Sequence, residues 1–448
     1  MRLLLTASFF CLTAALAAAG SVAVTGAPNA SLEALAGSPT LVTVVLKDSG
    51  AEDPNLRVVG VEKNYFTVLT TKGDRIPYLY ELVSEVRVQG GTIEKAKSDF
   101  SNTRALRPED QQILSDAWNR AGEIFNISND DQERKTRAAI LMALGGNADA
   151  KAYLQQLSET NDLKVAVSSS VALYLVGMDV QEKVVKEGLR SGNRGIRGQA
   201  ATLAGLTNYL DAVPQLIKMS QDRVADYGPA AVLALARMDQ KSVLPNLLGM
   251  VRENNKTRAL AASQAIKMLG GEDIPEQLEY IINESTGMER FHAILALHAV
   301  APAAATPLLQ QMLKEVPTLA HEAALVLAEQ GEWEGTQLLR SRLDRREDPT
   351  DENLIFKARM ATSLFLGGDP AALAIYQELL RHDSTAPKIE AFQRMIQIGD
   401  RRSFPMIQSS ILSTNNEVAL GACNVAAALA DSAYRERLLA VRLAGHDF

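Results

Sequence analysis

Few residues of this chain have the types and spacing that catalysis or metal binding requires. The sequence contains five histidines and two cysteines in 448 residues. His292 and His298 are six positions apart, so a helix would place them on different faces and a shared metal ion is not expected. His321 is followed by Glu322 but has no further metal ligand at helical spacing. These residues therefore predict no metal site.

The short motifs of common catalytic and nucleotide-binding sites are also missing. The sequence has no HExxH, GxSxG, P-loop or CxxC pattern. Cys11 lies in an apolar N-terminal segment, and Cys423 lies in GACNVAAAL, where small apolar neighbours predict a buried thiol. We therefore expect a protein that is not an enzyme, with no catalytic residue, no metal-binding residue and no cofactor.

Basic residues near the starts of helical segments are the candidates for a partner-binding site. On one face of a stack of helices they would form a ladder that contacts a partner. Alternatively, each pairs with an acidic residue of a neighbouring segment and stabilises the stack, which the acidic composition favours. The five residues are Arg137, Arg197, Arg258, Arg290 and Arg359.

The elements that would position these arginines repeat along the chain. From about residue 109 onwards, segments such as TRAAILMALGGNADA and TRALAASQAIKMLGGEDIP combine a helix rich in small residues, a glycine break, an acidic residue and a second apolar helix. Gly145, Gly177 and Gly270 are 32 and 93 residues apart, and 93 is three units of 31. This period predicts about ten helix pairs, with a charged loop inserted at 344–352.

Aspartates that follow the breaks are expected to begin the second helix of a pair. Their carboxylates would accept hydrogen bonds from free amides at the helix start. They are Asp179, Asp239, Asp273 and Asp369.

These segments resemble the short bacterial HEAT repeats that are grouped with phycobilisome-lyase-like repeats. Their approximate pattern, x-R-x-x-A-A-x-x-L-G-x-x-D-x-x-x-x-P-x-L, is visible over residues 257–275. The resemblance implies a mainly α fold, a right-handed α-solenoid over 109–448. In such families the second helix of each pair lines a concave face, which implies binding of other proteins there.

A strand-like region precedes the helices. Residues 40–91 alternate apolar and polar side chains in about five short runs separated by turn residues, and this order resembles the five-stranded Sm-like or SH3-like small β-barrels. That resemblance implies an RNA-binding function. However, the region contains six basic and seven acidic residues, which predict no basic surface. Of Tyr65, Tyr78 and Tyr80, at least two are expected inside the barrel. Residues 92–108 predict a linker or a leading helix.

The N-terminus has the pattern of a secretory signal peptide over residues 1–23. Arg2 precedes an apolar run, and small residues offer cleavage after Ala19 or Ala23, with a linker over 24–39. An uncleaved membrane anchor is the alternative, because the run approaches the ~20 residues that span a bilayer. Removal of Arg2 changes the formal net charge from −7 to −8. We expect an exported protein, periplasmic or secreted to the cell surface, without a membrane span after cleavage.

The sequence therefore predicts an exported, non-catalytic scaffold whose partners are other proteins. Two alternatives stay open: a nucleic-acid-binding module that uses the barrel, and a lyase or isomerase related to HEAT-repeat chromophore lyases. The acidic charge disfavours broad nucleic-acid binding. The sequence does not indicate an oligomeric state.

Overall fold

The chain divides into two compact units. One contains residues up to 105 together with 324–387, and the other contains 106–323 together with 388–448. Residues 1–20 of the predicted signal peptide and 93–105 of the predicted linker lie outside the described residues. The computed structural model describes residues 21–23, 32, 35, 40–47, 51–61, 65–69, 75–92, 106–222, 227–345, 347–369 and 372–443.

The first unit contains a curled antiparallel sheet of six strands in the order β1-β6-β2-β3-β4-β5. Five of these strands, β2 to β6, lie between residues 40 and 92, where the sequence predicts them. The sixth strand, β1, pairs with residues 85–87 of β6, although its residues fall at the end of the predicted signal peptide. The strands are β1 Ser21–Ala23, β2 Thr40–Leu46, β3 Glu52–Val61, β4 Tyr65–Leu69, β5 Arg75–Leu79 and β6 Val83–Thr92.

Alternation along the strands builds the core of the sheet. Phe66 and Val68 point inward from β4 and are fully buried, as strand geometry requires of every second residue. Tyr78 and Tyr80 are buried and Tyr65 is exposed, which confirms the prediction that at least two tyrosines pack inside. Leu32 and Leu35 also belong to this core. The packed unit therefore includes residues that the sequence assigns to the linker at 24–39.

Helices account for the rest of the described chain. From α2 onwards they form two alternating series, the even-numbered and the odd-numbered helices. The even-numbered helices begin at intervals of about 31 residues, a length typical of helical repeats. The helices are α1 Pro108–Ile127, α2 Gln132–Leu144, α3 Ala148–Ser158, α4 Leu163–Leu175, α5 Glu182–Leu189, α6 Arg194–Leu206, α7 Val213–Gln221, α8 Gly228–Arg237, α9 Leu244–Val251, α10 Lys256–Leu269, α11 Ile274–Glu284, α12 Gly287–Val300, α13 Pro302–Glu315, α14 Ala320–Glu329, α15 Trp333–Leu343, α16 Asp351–Leu366, α17 Leu373–Arg381, α18 Thr385–Ile398, α19 Phe404–Ile411, α20 Asn416–Ala430 and α21 Ser432–Leu443.

In the second unit the even-numbered and the odd-numbered helices form two rows. The helices α6, α8, α10 and α12 pack side by side, and each of α5, α7, α9 and α11 packs against the even-numbered helix that follows it. Nine of the ten residues of α8 are buried, whereas only three of the eight residues of α9 are. The small residues of the even-numbered helices therefore allow close packing on several sides, and the odd-numbered helices leave more of their surface exposed.

The last helices of the second unit pack against its first ones. The helix α20 contacts α1 and α2, and α21 contacts α4. Cys423 of α20 is fully buried, as predicted, and burial raises the pKa of its thiol to about 12.

The break after each even-numbered helix from α2 to α10 contains a residue with positive φ at the same place in the repeat. This position recurs once in each repeat of about 31 residues, with φ between +53° and +91°. Gly146 occupies it in the first repeat, although the sequence period is counted from Gly145, and two non-glycine residues occupy it further along. The series is Gly146, Gly177, Asn208, Asp239 and Gly270. Asn and Asp tolerate this conformation better than other residues with a Cβ.

The helix N-caps differ from the prediction. Asp239 lies in the left-handed position, and Gln181 and Asp273 precede α5 and α11 without a side-chain cap bond. Asp369 pairs with Arg340. Asn147 caps the odd-numbered helix α3. Four further caps precede even-numbered helices between α2 and α10 and follow the same repeat. They are Asp131, Asp162, Asn193 and Asn255, each of which accepts a bond from a backbone amide of the first turn.

Candidate functional site

The five predicted arginines do not form an exposed ladder. Arg258 is only 4% exposed, and the other four are half-buried. Arg137, Arg197, Arg258 and Arg290 lie in the first half of their even-numbered helices, and Arg359 lies in the middle of α16. Their role in binding a partner stays a prediction. The structure shows contacts within the chain for Arg137, Arg197, Arg258 and Arg359.

Arg137 joins the first repeat of the second unit to its last described one. Its Nη1 donates to Glu417 Oε2 over 2.6 Å, and Arg134 Nε donates to Glu417 Oε1 over 3.2 Å. Burial raises the pKa of the Glu417 carboxyl, but the charges and hydrogen bonds of Arg137 and Arg134 outweigh that effect and hold the pKa below its ordinary value. Glu417 is therefore a carboxylate that connects α2 to the start of α20.

Arg258 forms the most enclosed contact of the five. Its Nε donates to Glu253 Oε2 over 2.5 Å, and its Nη1 donates to the carbonyl oxygen of Asp222 over 3.2 Å. The imidazole Nδ1 of His292 lies 3.2 Å from the carbonyl oxygen of Glu253, and burial lowers the pKa of this histidine. One polar cluster thus connects the starts of α10 and α12 with the end of α7.

Arg197 reaches the same cluster through an aromatic ring. Its guanidinium carbon lies 4.6 Å from the centre of the Tyr227 ring, a cation–π distance. The hydroxyl of Tyr227 donates to Asp222 Oδ2 over 2.5 Å, and that bond raises the pKa of the phenol. Arg359 stacks in a similar way, 5.3 Å from the ring centre of Phe356 in its own helix.

The structure contains a second group of arginine contacts that the sequence does not predict. Among the described residues, six guanidinium groups donate to backbone carbonyls in or just after the last turn of a helix, where carbonyls lack partners within the helix. Arg437 Nε, for example, donates over 2.8 Å to Leu175 at the end of α4, 262 positions away. The donor and carbonyl residues are Arg57 to Gln330, Arg120 to Ser413, Arg237 to Ala440, Arg258 to Asp222, Arg401 to Leu429 and Arg437 to Leu175.

These contacts explain why so many cations lie inside an acidic protein. A guanidinium has several donors and no acceptor, so it can bind a free carbonyl at the end of a helix in another segment. Its positive charge also interacts favourably with the negative end of that helix dipole. No spacing in the sequence marks such contacts, because the acceptor is the backbone of an arbitrary residue.

Two open grooves lie on the second unit. One, of about 620 Å³, lies beside the ends of α4 and α6 and the start of α5. The other, of about 530 Å³, lies between the outer helices α9 and α11, where Tyr280 is exposed. Neither groove was predicted, because each is formed by loops or helices of two successive repeats.

Side chains that could ligate a metal do not gather in one place among the residues that the structure describes. In the same part of the chain, no helix combines the length and apolar character that crossing a membrane requires.

The comparison with protein families assigns the repeat. Residues 182–267, from the start of α5 into α10, match the family model for HEAT repeats. Over this stretch the helix pairs match HEAT repeats. The match lies within a series of helices whose period of about 31 residues continues on both sides of it. A search of curated proteins finds none that matches the chain.

Proposed function

We propose that this HEAT-repeat protein is an exported, non-catalytic scaffold that binds other proteins. One observation carries the proposal: two rows of stacked helices leave exposed outer faces and two open grooves on a closely packed interior. HEAT repeats commonly mediate contacts between proteins, which supports this assignment. Export rests on the N-terminal sequence pattern.

The interior arginines favour a scaffold whose binding surface is not the predicted ladder. Arg258 and Arg137 already hold Glu253 and Glu417, and a partner would have to compete with these ion pairs. A partner that binds the outer faces or the grooves leaves the intramolecular contacts intact. We therefore expect the binding surface to lie away from the arginine row.

Reconstitution with purified components tests the proposal. The mature protein is immobilised and used to capture proteins from the envelope fraction of its own cells, and each captured protein is then purified and titrated alone against it. At least one partner should bind with a defined stoichiometry and a saturable dissociation constant. Failure of every captured protein to bind in the purified pair would contradict the scaffold function.

Cell fractionation tests the location separately. The protein should be found in the envelope or outside the cell, and a variant without the N-terminal apolar segment should stay in the cytoplasm. Recovery of the unaltered protein in the cytoplasm would contradict export without affecting the scaffold proposal.

A further inference from the structure

The groove beside α4 and α6 has a chemistry that differs from the rest of the surface. Its wall carries three exposed carboxylates, those of Asp179, Glu182 and Asp211. No lysine, arginine or histidine contributes to the lining that the structure describes. The second groove, in contrast, contains Arg252 together with Glu276. The first groove is thus uniformly acidic in its charged lining.

The three carboxylates also differ from the acidic residues at the contacts between repeats. Glu253 and Glu417 each hold an arginine, whereas Asp179, Glu182 and Asp211 have no hydrogen-bond or ion-pair partner within the described parts of the chain. They therefore do not stabilise the stack through such contacts.

Apolar and aromatic surface accompanies these charges. Leu210 is 55% exposed at the groove, and Tyr174 and Tyr209 contribute half-buried rings. Asn208, with φ of +53°, ends α6 and turns the chain so that Tyr209 and Leu210 follow directly in the groove wall. An exposed leucine next to tyrosine rings offers a surface for an aliphatic chain.

We propose that this groove binds a lysine- or arginine-containing segment of a partner protein. The aliphatic stem of a basic side chain would lie on Leu210 and the tyrosine rings, and its cation would meet the carboxylates, with a cation–π contribution from a ring face. The volume of about 620 Å³ is within the range of specific binding sites and accommodates a short stretch of chain. This inference rests on the proposed scaffold function and specifies its partner chemistry.

Binding of a defined peptide tests the groove directly. The probe is a fluorescent hexapeptide of alternating lysine and leucine, and its control has glutamine in place of each lysine. Fluorescence anisotropy with the mature full-length protein should show saturable binding of the lysine peptide only. The affinity should fall as the salt concentration rises, because the contacts are exposed to solvent.

Two variants separate the groove from general attraction to an acidic protein. The double variant Asp179→Asn with Asp211→Asn should weaken binding about tenfold, since it removes two of the charge-assisted contacts. Leu210→Ser should weaken binding without changing the net charge. The double variant Asp273→Asn with Glu279→Gln removes two charges elsewhere on the exposed surface and should bind like the unaltered protein.

The outcomes distinguish failure of the groove proposal from failure of the proposed scaffold function. No saturable binding to the unaltered protein, or equal affinity for the groove and control variants, would overturn the groove proposal. If the groove variants still bind the reconstituted partner with unchanged affinity, the groove proposal fails while the scaffold function stands. Loss of that partner together with the peptide supports both.

Discussion

Arg137 and Glu417 are in direct contact although 280 positions separate them in the sequence. The Nη1 atom of Arg137 lies 2.6 Å from Oε2 of Glu417, and Arg134 approaches the other carboxylate oxygen. This contact joins α2 to α20, so the second unit is held by a bond between its first and last repeats as well as by contacts between neighbours. An array held only by neighbouring repeats has no such link.

Replacement of Glu417 by Gln should destabilise the second unit. The substitution removes the negative charge that holds two arginines, and the loss should be about 1 kcal/mol, because a carboxylate that is 40% exposed is screened by solvent. The measurement is the midpoint of urea unfolding followed by circular dichroism. Glu279→Gln, on an exposed face of α11, is the matched control and should leave the midpoint unchanged.

The same contact predicts a pH dependence. The pKa of Glu417 is below its ordinary value of 4.5, so the folded state binds this proton less readily than the unfolded state does. The stabilisation is therefore complete above the ordinary pKa and is lost as the pH falls through the lower pKa of the folded state. The stability difference between the unaltered protein and Glu417→Gln should shrink in that range; a difference that is constant down to the acid transition would contradict the role of the charge.

The sequence predicts the period of the helical repeat. It predicts only some of the residues that occupy the turn and cap positions of each repeat. Glycines revealed the spacing, whereas Asn208 and Asp239 occupy the same left-handed position without being glycine. Asp239 looked like a helix start because an aspartate before an apolar run suits an N-cap as well as a left-handed turn. The equal spacing of Asp131, Asp162 and Asn193, which matches the glycine period, would have identified the real caps.

The candidate groove and the long-range arginine contacts could not be predicted. Each brings together residues of different repeats or, for Arg57, of a strand and a helix end, and the acceptors of the arginine bonds are backbone carbonyls that carry no side-chain signal. Likewise, Leu32 and Leu35 belong to the sheet core although the residues around them do not alternate as a strand does. Local pattern predicts local structure, and these features depend on which segments meet in space.

Arg258 should contribute more to stability than Arg137. Arg258 is nearly buried, but the Glu253 carboxylate that Arg258→Ala would leave without this donor is 24% exposed and can bind water. The Asp222 carbonyl also loses a donor, and we expect a total loss of about 2 kcal/mol. Arg137→Ala should cost about 1 kcal/mol, because the Arg137 side chain is 23% exposed. Thermal unfolding monitored by calorimetry measures both losses of stability, and the loss in Arg258→Ala should be the larger one.

Partner binding distinguishes the two interpretations of these arginines. A structural role predicts that Arg258→Lys, which keeps the charge, recovers part of the stability, and that the folded variants bind the reconstituted partner normally. Unchanged stability in Arg137→Ala and Arg258→Ala, with partner binding lost, would show instead that the arginines form the binding surface.

The observed caps predict a contrast between two aspartates. The Asp162 carboxylate accepts bonds from the amides of Lys164 and Val165 at 2.9 and 3.3 Å, so Asp162→Ala should cost about 1 kcal/mol. Asp273 precedes α11 without such a bond, and Asp273→Ala should change the unfolding midpoint little. Equal losses in the two variants would mean that charge near the helix dipole, rather than the hydrogen bond, provides the stabilisation.

Strand β1 predicts where the proposed signal peptide is removed. Both Ala19 and Ala23 are acceptable before a cleavage site, but cleavage after Ala23 would remove Ser21–Ala23, which pair with β6 at Arg87, Val86 and Glu85. We therefore expect the mature chain to begin at Gly20, as measured by intact mass and N-terminal sequencing of protein purified from the envelope. A chain that begins at Val24 should unfold at a lower temperature than one that begins at Gly20, because β6 then exposes backbone donors and acceptors along one edge. A mature protein that begins at Val24, with the same melting temperature as the longer chain, would show that β1 contributes nothing to the folded sheet.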